Sequence, residues 1–214
     1  MDNNNYEFYL KKYGKEFSNY KPNFSPYFKS AFSPGFIKWL KGDYIGNSTG
    51  NGALMRISPI CYLLEDKEEI LKNIYLATYV SHNSREAIDC ATKVAMVIYY
   101  ARCGLNKLEI LKKLNIYLKQ RDFDKFNTTC YETIENCLYA VFNSNTFEEA
   151  IISVLSYGGD TDTNACITGQ MAEALYGIDY DLIEKAKSFL PNDFVKKISY
   201  AYSLKENNND FKCK

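Results

Sequence analysis

Residues 83–104 read NSREAIDCATKVAMVIYYARCG, and their spacing decides the fold. Ala87, Ile88, Ala91, Val94, Ala95 and Ile98 recur at intervals of three and four, which draws a broad apolar stripe along a helix. Asn83 with Glu86 resembles a capping box at the start, and Gly104 stops the segment. Upstream, Ile70, Leu71, Ile74 and Ala77 repeat the period. Downstream, Leu108, Leu111, Leu114 and Leu118 predict another helix, and Ile134, Cys137, Leu138, Val141 and Phe142 a further one. Thr146 and Glu149 form a Thr-x-x-Glu capping box ahead of Ala150, Ile151, Val154 and Leu155. Gly158-Gly159 breaks that helix. The next is predicted to begin around Thr161 to Thr163 and to run to Tyr176, with Gly177 as its C-cap. Amphipathic segments follow at about 181–189 and 193–204. Residues 1–50 hold Pro22, Pro26 and Pro34 and predict short turns with one or two brief helices. No alternating run long enough for a sheet and no repeat stands out, so the expected fold is all-α, a compact multi-helix bundle. Residues 1–204 read as a single domain and 205–214 as a polar tail.

Composition narrows the function. In the 214 residues, 26 basic and 26 acidic side chains cancel, which removes the counterion-release term that drives nucleic-acid binding; no nucleic-acid partner is expected. Apolar runs such as 94–101 fall far short of the ~20 residues that span a bilayer. The polar start, residues 1–5, does not read as a signal peptide. No membrane partner is expected. The seven cysteines, at 61, 90, 103, 130, 137, 166 and 213, are odd in number, without CxxC, and mostly inside apolar helical patterns. They read as reduced core thiols of a cytoplasmic protein. Three Asn-x-Ser/Thr patterns, at Asn23, Asn47 and Asn127, read as coincidence in an asparagine-rich chain.

Two loops are candidates for function. Gly46-Asn47-Ser48-Thr49-Gly50-Asn51-Gly52 lets backbone approach a ligand closely and point amides into one concavity that favours phosphate oxygens. The alternative is a glycine-rich turn with Asn51 as a helix N-cap. In Gly158-Gly159-Asp160-Thr161-Asp162-Thr163-Asn164, two carboxylates and a hydroxyl at a loop-to-helix junction can converge on Mg²⁺ or Mn²⁺, as hard oxygen ligands do. There the alternative is a cap by Asp162 or Thr161. His82 is the only histidine; no Gly-x-Ser-x-Gly elbow accompanies it, which argues against a hydrolase triad and leaves a ligand-pocket role beside a plain structural one. Phe36, Trp39 and Tyr44 near the glycine loop are candidates for stacking on a base, or core.

Gly50-Asn51-Gly52-Ala53-Leu54-Met55-Arg56-Ile57-Ser58-Pro59-Ile60, then Ser81-His82-Asn83, then Gly158 through Gly169 and Ala174-Leu175-Tyr176-Gly177, together resemble the ADP-ribosylglycohydrolase family. That family includes ADP-ribosylarginine hydrolases and dinitrogenase-reductase-activating glycohydrolases. The resemblance implies an all-α fold, divalent Mg²⁺ or Mn²⁺ at the base of a cleft, and ADP-ribose or an ADP-ribosylated protein or small molecule as the ligand. It implies Asp160 and Asp162 as catalytic residues, and Asp160, Asp162 and Thr163 as metal ligands. Gly50, Asn51, Gly52, Met55, Arg56, His82 and Gly159 are implied as substrate-binding residues.

The chain also departs from the family pattern. Family members carry an N-terminal Gly-Asp-rich helix and a Thr-Asp-Asp-Thr motif that completes the metal shell, and neither is found here. Asp160 and Asp162 bring a charge of about −2 against the +4 of two divalent ions, so one retained ion is expected and a full binuclear centre is not. The expectations are therefore an N-terminally truncated version of the family fold, a separately encoded N-terminal half as partner, and an activity that is incomplete without it. A binding module that holds ADP-ribose without cleaving it, or an idle helical remnant, is the alternative.

Overall fold

The computed structural model describes residues 3–18, 32–43, 45–119 and 125–206. Tyr44, Cys213, the Asn23 pattern and most of the expected polar tail lie outside these residues. Within them the chain is helical: α1 (Asn3–Phe17), α2 (Pro34–Lys41), a 3₁₀ turn (Asn51–Arg56), α3 (Ser58–Leu63), α4 (Lys67–Tyr79), α5 (Arg85–Arg102), α6 (Lys107–Lys113), α7 (Cys130–Asn143), α8 (Phe147–Ser156), α9 (Thr161–Tyr176), α10 (Tyr180–Ser188) and α11 (Asn192–Glu206). Two isolated β-bridges, Asn47 with His82 and Gly50 with Thr129, are the only extended pairings among the described residues.

The stretch that decided the fold is also its axis. α5 packs against α3, α4, α6, α7, α9 and the 3₁₀ turn. All seven residues from Val94 to Tyr100 are buried, so its C-terminal half is apolar all round, as a central helix requires. α7, α8 and α9 pack on one another beside it, and Ile134, Cys137, Val141, Ile167 and Met171 close the same core. Phe36, Trp39, Leu40 and Val80 form a smaller cluster under α1, so Trp39 belongs to the core.

Polar groups seal the helix ends. Arg102 Nη1 donates to the carbonyls of Cys61 and Leu64 at the end of α3, and its guanidinium lies over the Tyr62 ring. Tyr176 Oη lies 2.6 and 2.8 Å from the Val141 and Ser144 carbonyls at the end of α7.

Several local expectations change. The N-cap of α5 is Ser84, whose hydroxyl accepts from the Ala87 amide. Glu86 instead accepts from the Tyr131 amide, so the Asn83 capping box does not form. Thr146 caps α8, but Glu149 reaches back to the Asn145 amide, one residue further. A complete box forms at Asn106 and Glu109. α1 is 15 residues long, more than a brief helix. Leu108 points to solvent at 77% exposure, because the apolar face of α6 runs through the buried Ile110. Cys166 is exposed and Cys103 is disulfide-bonded; both depart from the reading of seven reduced core thiols.

Truncation inside α5 and on α6 should separate these environments. Ile98→Ala is expected to destabilise by about 2–4 kcal/mol through lost burial and a residual cavity. Leu108→Ala should change stability by less than about 0.5 kcal/mol. Urea melts of the two variants check this, and equal losses would contradict the placement of α5 as the core helix.

Candidate functional site

The glycine loop is held between two other segments. Gly46 has φ 74°, and a Cβ there would stand 2.8 Å from the Val80 carbonyl oxygen, so only glycine lets the loop lie this close to the end of α4. The Asn83 amide donates to the Gly46 carbonyl at 2.8 Å and the Ser48 amide to the Ser81 carbonyl at 3.4 Å, which pins residues 46–48 to the segment around His82. On the other side, the Asn51 amide donates to the Thr128 carbonyl at 2.8 Å and the Cys130 amide to Thr49 at 2.9 Å. Residues 125–129 therefore form a strap across the loop. The same strap crosses the second loop: Gly159 has φ 72°, and an added Cβ would stand 2.3 Å from the Lys125 carbonyl oxygen.

Asn51 joins the two loops. Gly50 is the N-cap of the 3₁₀ turn and makes no side-chain cap bond, so Asn51 is the first turn residue and its side chain is free for other work. Its Nδ2 donates to Asp160 Oδ2 at 2.9 Å, to Thr133 Oγ1 at 3.1 Å and, at the limit of bonding, to the Asn127 carbonyl at 3.4 Å. Asp160 is the N-cap residue of α9 but makes no side-chain cap bond, which leaves its carboxylate to Asn51 and its neighbours. Burial raises the Asp160 pKa. The Asn51 amide and the Thr163 hydroxyl favour the charged form, while hydrogen bonding and charge from Asp162 disfavour it. Thr163 and Asn164 are buried and Asp162 is exposed.

Arg56 and His82 lie on the glycine side. Arg56 Nη2 donates to the Ala77 carbonyl at 3.0 Å and to Ser81 Oγ at 2.7 Å. Ser81 Oγ lies 2.8 Å from His82 Nδ1. The opposite ring nitrogen, Nε2, faces the loop: it is 3.8 Å from where a Cβ would stand on Gly50 and equally on Gly52. Burial, then the Arg56 charge, push the His82 pKa down to about 3, so the ring is neutral at physiological pH. Burial also pushes Arg56 down to about 10. Met55 is exposed at the mouth of the loop, its carbonyl facing the Cys166 thiol at 3.7 Å.

The structure thus brings Asn51, Asp160, Asp162 and Thr163 together, and sets Gly50, Gly52 and His82 in one neighbouring group. The guanidinium of Arg56 lies behind His82, directed at Ala77 and Ser81. The chemistry of the acidic group suits a hard divalent ion. Two carboxylates and a hydroxyl supply about half of the six oxygens such an ion takes, the rest being water or other ligands. Among the described residues no cluster of three or more His, Cys, Asp or Glu side chains converges anywhere. Thr133 and the strap at 125–129 carry no site role in the sequence reading, and Ser81 enters it only as part of the Ser81-His82-Asn83 motif. A buried threonine inside the apolar pattern of α7 was the available sign for Thr133. Asn127-Thr128-Thr129 drew notice only as a glycosylation pattern.

Asn51→Ala removes the donor shared by Asp160 and Thr133, and unfolding should show a loss of about 2 kcal/mol, as for a buried hydrogen bond to a charged group. A loss under about 0.5 kcal/mol would mean that the link is not formed in solution. For His82, the folded pKa lies below the unfolded value of about 6.5. The unfolded chain then binds the extra proton between roughly pH 3 and 6.5, and stability falls as pH drops through that window by up to about 1.4 kcal/mol per unit. Denaturation across pH 4–7 should show this slope in the wild type and a flatter one in His82→Asn; parallel slopes would show that His82 is not buried neutral.

Known proteins share this arrangement of sequence and fold. Residues 13–210 match the model of the ADP-ribosylglycohydrolase family. ADP-ribosylarginine hydrolase Tri1 of Pseudomonas putida is 28% identical over 185 residues, covering 79% of this chain and 47% of that protein. The ADP-ribosyl-[dinitrogen reductase] glycohydrolase of Rhodospirillum rubrum is 26% identical over 144 residues, covering 64% of this chain and 49% of that protein. The chain spans about half the length of these curated relatives. A solved structure described as an ADP-ribosylglycohydrolase-related protein complex superposes with TM-score 0.59 at 19% identity, over 95% of this chain and 71% of that chain, which shows a shared fold. The expected all-α fold of this type is what the helices form. By the match over most of its length, the chain belongs to the ADP-ribosylglycohydrolase family.

Proposed function

We propose that this chain carries the ADP-ribose-binding part of an ADP-ribosyl glycohydrolase and takes part in hydrolysis of the N- or O-glycosidic bond at the anomeric carbon of an ADP-ribosylated substrate. The observation that carries this reading is the Asn51 to Asp160 hydrogen bond, which fuses the glycine loop and the acidic loop, 109 residues apart in sequence, into one site. The relatives named as ADP-ribosylarginine hydrolase and ADP-ribosyl-[dinitrogen reductase] glycohydrolase support it.

In this reading Gly50 and Gly52 let the ligand diphosphate lie against bare backbone, with no Cβ in the way. His82 stands at the same surface as a neutral hydrogen-bonding group. Asp160 is held in place by Asn51 and Thr163, and Asp162 stays open to solvent where ribose hydroxyls can reach it. Asp160, Asp162 and Thr163 would hold one Mg²⁺ or Mn²⁺. A bound divalent ion supplies Lewis-acid polarisation and a water of lowered pKa. The remaining metal ligands come, in this proposal, from a separately encoded N-terminal half that bears the Thr-Asp-Asp-Thr motif. The five free thiols among the described residues, Cys166 exposed among them, support a cytoplasmic setting, and the Cys103 disulfide counts against it.

The second reading, ADP-ribose binding without cleavage, is favoured by the small donor set: two carboxylates with no third ligand of their class converging among the described residues. Two measurements separate the readings. Calorimetry with ADP-ribose, with and without Mg²⁺, should give heat of binding; none at millimolar ligand would remove both. Mg²⁺-dependent release of ADP-ribose from ADP-ribosylated arginine should be weak for the chain alone and rise when the N-terminal half is added. Binding with no release in either case leaves the binding module.

A further inference from the structure

The polar row Arg56, Ser81 and His82 has a direction fixed by chemistry. Arginine can only donate, so the bond from Arg56 Nη2 makes Ser81 Oγ an acceptor. The Ser81 hydroxyl still has one hydrogen to place. It is buried at 3% exposure, and among the described residues its hydroxyl meets Arg56 and His82 Nδ1 alone. Nδ1 is the one acceptor of the two. Were Nδ1 itself protonated, the buried hydroxyl hydrogen would have no partner, an arrangement folded proteins avoid.

We infer that Arg56 and Ser81 are positioning residues that lock His82 in the tautomer with Nδ1 bare and Nε2 protonated, so that the glycine loop faces a fixed N–H donor. The neutral state of the buried ring agrees with this, since a doubly protonated imidazole could not accept from Ser81. The consequence is chemical. At the surface of Gly50 and Gly52, His82 offers a hydrogen bond to an oxygen of the ligand and has no lone pair with which to take a proton from water. Its task is recognition of an acceptor, a diphosphate or ribose oxygen, and not general base catalysis. The identity of that ligand rests on the function proposed above; the lock itself does not.

Because His82 is the only histidine, nitrogen NMR of the ring reads the lock without assignment. In the ligand-free wild type, long-range proton–nitrogen correlation should show Nε2 as the protonated nitrogen and Nδ1 as the bare one, unchanged across pH 6–8. Ser81→Ala should lose this preference and show a tautomer mixture, while Ser81→Thr, which keeps the hydroxyl, should restore it. Arg56→Lys, which keeps a donor, should retain the wild-type tautomer. ADP-ribose should shift the Nε2 resonance in the wild type, and Ser81→Ala should bind it about tenfold more weakly. A wild-type ring protonated on Nδ1, or a Ser81→Ala ring indistinguishable from the wild type, overturns the inference. A wild-type ring of the expected tautomer that ADP-ribose leaves untouched upholds the lock and counts against the ADP-ribose reading.

Discussion

One side-chain amide decides whether this fold has a site at all. Asn51 Nδ2 reaches Asp160 and Thr133 at hydrogen-bonding distance, tying the 3₁₀ turn to the start of α9 and to α7. The residue is buried at 8% exposure, so losing these partners leaves buried polar groups unpaired, at a cost. Such a bond needs both ends presented without slack. The core supplies that: α5 touches the 3₁₀ turn, α7 and α9 at once, and α9 packs on α7 and α8. The strap at 125–129 then adds backbone bonds to the glycine loop and lies against Gly159, so that the two loops share a common cover. A change in the packing of α5 is therefore a change in the spacing of the two loops.

Charge is distributed unevenly across this junction. On one side Asp160 and Asp162 stand at the N-terminus of α9, where the helix dipole favours negative charge and partly offsets the cost of burying Asp160. On the other, Arg56 is bonded to a backbone carbonyl and a serine, and the histidine beside it gives up its own charge because burial and that guanidinium both disfavour a second cation. The arrangement sets a cationic interior behind the glycine loop and an acidic edge opposite. A ligand with a diphosphate at one end and ribose hydroxyls at the other matches both ends of the proposed site.

Helical periodicity carried most of the fold because apolar spacing reports burial directly. The stripes of α4, α5 and α7 lie where the spacing puts them, and α9 runs from Thr161 to Tyr176 as its punctuation indicates. Periodicity failed where burial was set by something else. α6 centres on the buried Ile110; Leu111, Leu114 and Leu118 of the leucine run pack on the core, and Leu108 sits outside it. α1 reads only as one of the brief helices of residues 1–50, because its sequence is polar and aromatic and carries no clear apolar stripe. Caps were legible as types but not always as positions: Ser84 took the role read into Asn83, because Glu86 was engaged by Tyr131. The candidate site was legible as two loops and a histidine, since clustered glycines, two aspartates at a loop-to-helix junction and a lone histidine mark themselves. The residues that assemble them, Thr133, Ser81 and the strap, are ordinary side chains whose roles arise only from tertiary contacts.

The central claim is that the glycine loop and the acidic loop form one ligand site. Titration of the labelled chain with ADP-ribose in Mg²⁺, followed amide by amide, tests it most directly. The account predicts that the amides of Gly50, Asn51 and Gly52 and those of Gly159, Asp160 and Thr161 shift together, with a single dissociation constant. Shifts confined to one loop, or two different constants for the two loops, would contradict it.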